Sequence, residues 1–330
     1  MEFPNIPTLK SDAVLALRRG RQPRQAALAF AGLLTVVALG RTVLSFWLGQ
    51  QMGNAGGLSN LGTRTMLSTV QSMLPLVQMV VLLSLELGYV HAMMRISRGQ
   101  YADHTDLKVG FRKFFPLLRL TLMQALVYFS IGFLTYQVAM VLYLFTPWAD
   151  GMMDLILPLA QQGMVDPMAM MTEEFLNQAA PMVMPMLLIW AVLFLGLMIP
   201  VSYRLRFSNY ALLDDSRGSA FAAIRTSLQM TRRNCIPLFK LDLSFWWYYL
   251  LSVLVSLLAY LDSLLPMLGI RLPINSTLAF FLCYCVHLAA TFAMVYFLRN
   301  GVECTYLMAY ESLREKPQND GVVLGNIFDM

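Results

Sequence analysis

The sequence predicts an all-α, polytopic membrane protein with six transmembrane helices, and three observations carry that prediction. Of its 330 residues, 58% are hydrophobic and only 13% charged, where a soluble domain carries about 25% charged residues. The apolar residues gather in blocks of about twenty or more, enough to cross ~30 Å of hydrocarbon as a helix. From Leu120 to Tyr203, eighty-four residues pass without a Lys, Arg or His, between Arg112, Lys113 and Arg119 on one side and Arg204 and Arg206 on the other. Such a gap marks a helical hairpin with basic ends on the cytoplasmic side and an acidic tip outside.

Taken in order, the expected spans are 26–48, 67–94, 116–145, 181–203, 240–264 and 278–298. The first follows a mostly polar segment and is long enough to cross, so it reads as an uncleaved helix instead of a signal peptide. The second and third are long enough to tilt, bend or project from the bilayer. Pro75 and Pro200 are the expected kink points, since proline removes a backbone donor and crowds the preceding turn. Between the third and fourth spans, 147–180 forms an external loop whose charges are all acidic: Asp150, Asp154, Asp166, Glu173 and Glu174. Residues 299–330 form a cytoplasmic tail.

Orientation follows from the bases. Of 24 Lys and Arg, all but Arg41, Arg64 and Arg271 fall in the N-terminal segment, the second and fourth connections and the tail. Both termini are therefore expected in the cytoplasm. The basic clusters sit at span ends, where they meet anionic headgroups. That distribution argues against nucleic acid as the partner of a net charge of +5.

The connections carry a second pattern. In Asp106–Phe115, Leu107, Phe111, Phe114 and Phe115 fall on one helical face and Lys108, Arg112 and Lys113 on the other. This predicts an interfacial amphipathic helix capped by Thr105 or Asp103. Phe221, Ile224 and Leu228 repeat the idea, and Ser11–Leu17 is a shorter version. Phe115-Pro-Leu-Leu-Arg-Leu-Thr-Leu122 also matches Ile236-Pro-Leu-Phe-Lys-Leu-Asp-Leu243 position by position. Both prolines fall in the first turn of a fresh helix, where proline is tolerated. Three parallel units, each an interfacial helix followed by a two-span hairpin, are the expected plan.

Residues 203–251 resemble domain-of-unknown-function family 975, whose bacterial members are polytopic. The likeness rests on Tyr203-Arg-Leu-Arg-Phe-Ser-Asn-Tyr-Ala-Leu-Leu-Asp-Asp215, Ala223-Ile-Arg-Thr-Ser-Leu-Gln-Met230 and Leu238-Phe-Lys-Leu-Asp-Leu-Ser-Phe-Trp246. Asp242, Ser244, Phe245 and Trp246 are its motif residues. The usual glycine-lysine pair after the methionine is replaced by Thr231-Arg232-Arg233-Asn234. Leu87-Gly88-Tyr89, Arg95, Gly99 and the Phe111 helix fit the family's earlier half. The resemblance implies a multi-pass fold in the bacterial inner membrane and brings no activity, cofactor or catalytic residue.

Glu86 is the sharpest polar feature, because an intramembrane carboxylate is costly and faces the bundle interior or water. It reads either as a proton or cation site, with His91 five residues on, or as a hydrogen-bonded carboxyl that packs helices. Arg41 and Asp262 lie at compatible depths near the external ends of their spans; they pair across the bundle, Asp262 meets Arg271, or each snorkels. Trp246, Trp247, Tyr248 and Tyr249 read as an interfacial aromatic belt. Met182, Met184 and Met186, with Met152, Met153, Met164, Met168, Met170 and Met171, suit soft Cu(I). The chain nevertheless uses 24 Met throughout, as flexible filler. Cys235, Cys283, Cys285 and Cys304 lack metal or redox spacing. No cofactor or metal is expected, and no catalytic motif is present.

The expected function is a non-enzymatic membrane component that organises or assists other envelope proteins, with a protein partner at the external loop or the cytoplasmic helices. A transporter of a small or lipid-like solute and a lipid-processing enzyme are the alternatives.

Overall fold

The computed structural model describes residues 3–20, 23–54, 61–161, 173–215, 219–267 and 275–314. All regular structure among them is helical. Five helices are long and apolar enough to cross a membrane, or six if one bent pair counts as a single span. That architecture fits an integral membrane protein. Two compact units divide the chain, one made of 1–117 and 207–330, the other of 118–206.

In the first unit, α1 (Ile6–Arg19) closes at Gly20, whose N–H bonds the Ala16 carbonyl. Helices α2 (Pro23–Asn54) and α3 (Leu61–Ser97) pack together and exceed the ~20 residues a crossing needs. Helix α3 continues through Pro75 without a break. It ends at Gly99 (φ 72°), where Gln100 N–H reaches back to the Arg95 carbonyl at 2.8 Å. Glycine adopts that left-handed backbone without steric cost, and the turn satisfies carbonyls the helix leaves open.

The amphipathic helix expected from Asp106 is instead two short pieces. A 3-10 turn (His104–Leu107) is held by an Asp103 capping box, and α4 (Lys108–Arg112) follows it. Leu107 is buried, while Phe111 and Phe115 are exposed. The cause is a close backbone approach. A Cβ on Gly88 would overlap the Leu107 backbone, and one on Gly110 would overlap the Ser84 carbonyl. With two glycines facing each other, α4 lies directly on α3 and turns Leu107 inward.

Lys113 ends α4, and α5 (Phe114–Tyr143) begins at once. The Lys113 ammonium bonds the carbonyls of Leu212, Leu213 and Asp215 at 3.0–3.1 Å, closing the C-terminus of α8 (Ser208–Asp214). Burial pulls its pKa below the ordinary lysine value, with Asp215 and Asp214 acting in the opposite sense. Helix α9 (Ala220–Thr231), capped by Ser219, buries Ala220, Ala223, Ser227 and Thr231 and turns Phe221 and Leu228 outward. Small residues on the inner stripe let it approach α8 closely.

The fifth span is not the single helix expected over 240–264. Helices α10 (Cys235–Leu243) and α11 (Trp246–Leu258) meet at 61° across Ser244 and Phe245, and α12 (Leu261–Met267) follows. Pro237 is the third residue of α10, as Pro116 is of α5. The last span, α13 (Ser276–Met294), runs through a π-helical turn, Val295–Arg299, into α14 (Asn300–Arg314). Within the expected tail, therefore, 300–314 is a helix, and it is a buried one. Asn300, Val302, Cys304, Thr305, Tyr306, Leu307, Ala309 and Tyr310 are enclosed on all sides. Its neighbours include α1 and α3.

The second unit holds most of α5, then α6 (Pro147–Gln161) and all of α7 (Glu173–Leu205), which passes unbroken through Pro181, Pro185 and Pro200. The Tyr143 hydroxyl lies 3.0 Å from the Trp148 carbonyl and 3.1 Å from that of Met182, tying the three helices together. Met152 and Met153 lie on α6, and Met182, Met184 and Met186 on α7. The positions of Met164, Asp166, Met168, Met170 and Met171 fall outside the described residues.

A candidate intramembrane polar site around the last helix

Arg299 ends the π turn, which adds a residue to one helical turn and re-aims the side chains after it. Its guanidinium pairs with Glu86 of α3. Two rings face the same guanidinium: its carbon stands 5.1 Å from the centre of Phe30 on α2 and 5.2 Å from Tyr89 on α3. Those rings stack on each other at 4.5 Å. Tyr89 is fully buried and donates its hydroxyl to Asn300 Oδ1 at 2.6 Å. A cation enclosed by rings and a carboxylate is stabilised by both, the ring attraction alone contributing about 2 kcal/mol once desolvated. Three helices thus converge on one arginine.

Further along α14 the pattern continues. Tyr210 of α8 donates to Glu303 at 2.8 Å. Tyr306 donates to Asp242 of α10 and shares a 2.7 Å hydrogen bond with the Tyr249 hydroxyl of α11. Tyr310 donates to Asp214 at 3.0 Å. Arg98, just beyond α3, bridges Asp214 and Glu311, and Arg314 meets Asp214 at 3.0 Å. Burial works against the charged form of Arg98, but the hydrogen bonds to those two carboxylates outweigh it and raise its pKa.

The motif residues form the bend between α10 and α11. Asp242 holds the Tyr306 hydroxyl, and Ser244 offers its carbonyl to Lys10 of α1 at 3.1 Å. Phe245 is buried beneath the Lys10 ammonium, 4.3 Å from its ring centre, while Trp246 is exposed. The break is clamped from both flanks by α1 and α14, which is why an unbroken span does not form. Tyr306→Phe removes both of its hydroxyl contacts and should lower the unfolding free energy by about 1–2 kcal/mol. Denaturant titration in detergent measures this, and an unshifted midpoint would refute the clamp.

The sequence candidates separate. Glu86 and His91 are not brought together: His91 turns towards Asp106, its Nε2 3.9 Å from Oδ1, and Asp106 is held at 2.7 Å by Arg95. Five residues place two side chains on nearly opposite sides of a helix. Arg41 donates to the Gln78 side-chain oxygen at 2.8 Å. The Asp262 side chain and all of Arg271 lie outside the described residues, so neither pairing expected for Asp262 is addressed. Glu86 and Arg41 do share a feature. Both line a groove of about 530 Å³ on α2 and α3, with Gln78, Met79, Leu82 and Leu83 between them. Glu86 is 42% exposed to this groove side and Arg299 only 19% exposed behind it.

Arg299 was legible only as a topological marker at the end of an apolar block. A better signal was available in Arg299, Glu303, Tyr306 and Tyr310, spaced four, three and four residues apart as one polar stripe of a helix. Among the described residues no three His, Cys, Asp or Glu side chains gather as a metal site. Cys304 is buried with its thiol 3.6 Å from the Ala13 carbonyl. No family model, curated protein or solved structure matches the chain.

Proposed function

We propose that this is an inner-membrane protein of a bacterial cell with no active site of its own, which organises or assists other envelope proteins. The observation that carries the reading is the outward face of the second unit: the most apolar windows of its two long helices are 11% and 0% buried. In the first unit, by contrast, the interior charges answer one another across helices, an arrangement that serves packing. The distribution of 24 basic residues supports cytoplasmic termini. Membership of family 975 and a plan of three parallel hairpins are part of the same proposal, and Phe221 and Leu228 would lie in the cytoplasmic interface.

Leu188, Val192 and Leu195 are exposed and fall on one face of α7. A photo-crosslinking residue at each, activated in native membranes, should give one defined protein adduct, extending to the acidic methionine-rich tip. Lipid adducts alone at all three positions would remove the reading.

The groove at Glu86 favours a second reading, transport of a small or lipid-like solute. Intramembrane carboxylates mark such pathways. Reconstituted Glu86→Gln protein should then lose uptake or its dependence on a proton gradient. If it handles every tested solute like the wild type, transport through this groove is excluded.

A further inference from the structure

We propose that the α2–α3 groove binds one anionic phospholipid, its phosphate on Arg41 and an acyl chain along Met79, Leu82 and Leu83. Depth comes first. Arg41 lies about 25 Å along α2 from Arg24, and Gln78 about 25 Å along α3 from Arg95, at 1.5 Å per residue. If those bases mark one face of a ~30 Å hydrocarbon core, the Arg41–Gln78 pair stands at the headgroup edge of the other. Glu86 lies about 13 Å from Arg95, near mid-core.

Charge decides the class of occupant. The Glu86 carboxylate is already matched by Arg299, so the unopposed charge in the groove is Arg41, which has no carboxylate partner among the described residues. Gln78 engages one of its five N–H groups at 2.8 Å and fixes the plane of the fork. A guanidinium with free N–H pairs takes a phosphate in bidentate fashion, and one already held by Gln78 loses less freedom in doing so. Along α3 its lining is apolar for two helical turns, from Gln78 to Glu86. An anionic head above an apolar run is the form of a phospholipid. The groove's volume of about 530 Å³ receives the part of the molecule nearest the headgroup. Lipid retention here depends on neither functional reading, since a bound lipid is a site whether or not it moves and whatever partner α7 has.

The test is native mass spectrometry of the full chain released from nanodiscs of phosphatidylglycerol and phosphatidylcholine. Wild type should retain one phosphatidylglycerol. Arg41→Ala should retain about tenfold less or lower, the equivalent of one charge-assisted hydrogen bond. Gln78→Leu keeps the charge but frees the fork, and should also lose lipid. Arg64→Ala removes another exposed arginine of α3 and should change nothing. Equal loss in Arg64→Ala means unspecific attraction to charge and overturns the proposal. So does wild type that releases all lipid, or equal retention of phosphatidylcholine. Thermal unfolding of each variant separates lost binding from lost fold, and Gln78→Leu stands as the second variant if Arg41→Ala does not fold.

Discussion

Arg299→Met should lower the unfolding free energy by about 3 kcal/mol, the lower end of the cost of removing one partner from a buried ion pair. Glu86 is half-exposed on the groove side, so the pair is only partly buried and the lower end applies. Methionine keeps much of the volume, so the loss reports charge and not a cavity. The rings of Phe30 and Tyr89 lose their cation at the same time. Combining Arg299→Met with Glu86→Leu should recover most of the loss, because an apolar pair of similar volume replaces a buried ion pair at little or no cost. Denaturant titration of the four proteins in one detergent gives the coupling between the two sites. A double variant as unstable as Arg299→Met alone would show that Glu86 and Arg299 are not the interacting pair.

Gly110→Ala should be equally severe by a different route. Its new methyl group would overlap the Ser84 carbonyl, which is backbone and cannot rotate away. Overpacking of this kind costs about 1–3 kcal/mol, and a backbone contact belongs at the upper end. Gly88→Ala, against the Leu107 backbone, should follow closely. Gly99→Ala meets no atom but keeps a positive φ, so about 1 kcal/mol is expected. Gly196→Ala on α7 meets nothing and should be neutral or stabilising by up to ~1 kcal/mol. Melting temperatures of the four variants provide the ranking, and Gly110→Ala melting like Gly196→Ala would disprove the close approach of α4 to α3.

Hydropathy made the long helices legible, because an apolar block of span length has few alternatives to helix. Charge placed their ends. What hydropathy cannot register is a helix whose inner face is polar. Residues 300–314 read as a tail because Glu303, Tyr306, Tyr310 and Glu311 lower the local hydropathy. Those same side chains meet partners on α8, α10 and α11 and beyond α3, far away in sequence. The bend at Ser244 was hidden for a related reason, since no proline or glycine marks it and its cause is Lys10 and Tyr306 reaching in from elsewhere. Asp103 as a cap was legible locally; the inward turn of Leu107 was not, since it depends on Gly88 across the contact. Glu86 was found as an isolated carboxylate, but its partner lies 213 residues away.

That separation has a meaning in time. A ribosome adding about 5–20 residues per second needs on the order of 10–40 s to travel from Glu86 to Arg299. Throughout that interval α3 is in the bilayer with its carboxylate unmatched, and Lys10 waits for a bend that has not been made. The second unit, contiguous in the chain, emerges whole between the two parts of the first, which cannot close until α14 is made. A nascent chain halted shortly before Arg299 therefore carries its long apolar helices without the cation that matches Glu86.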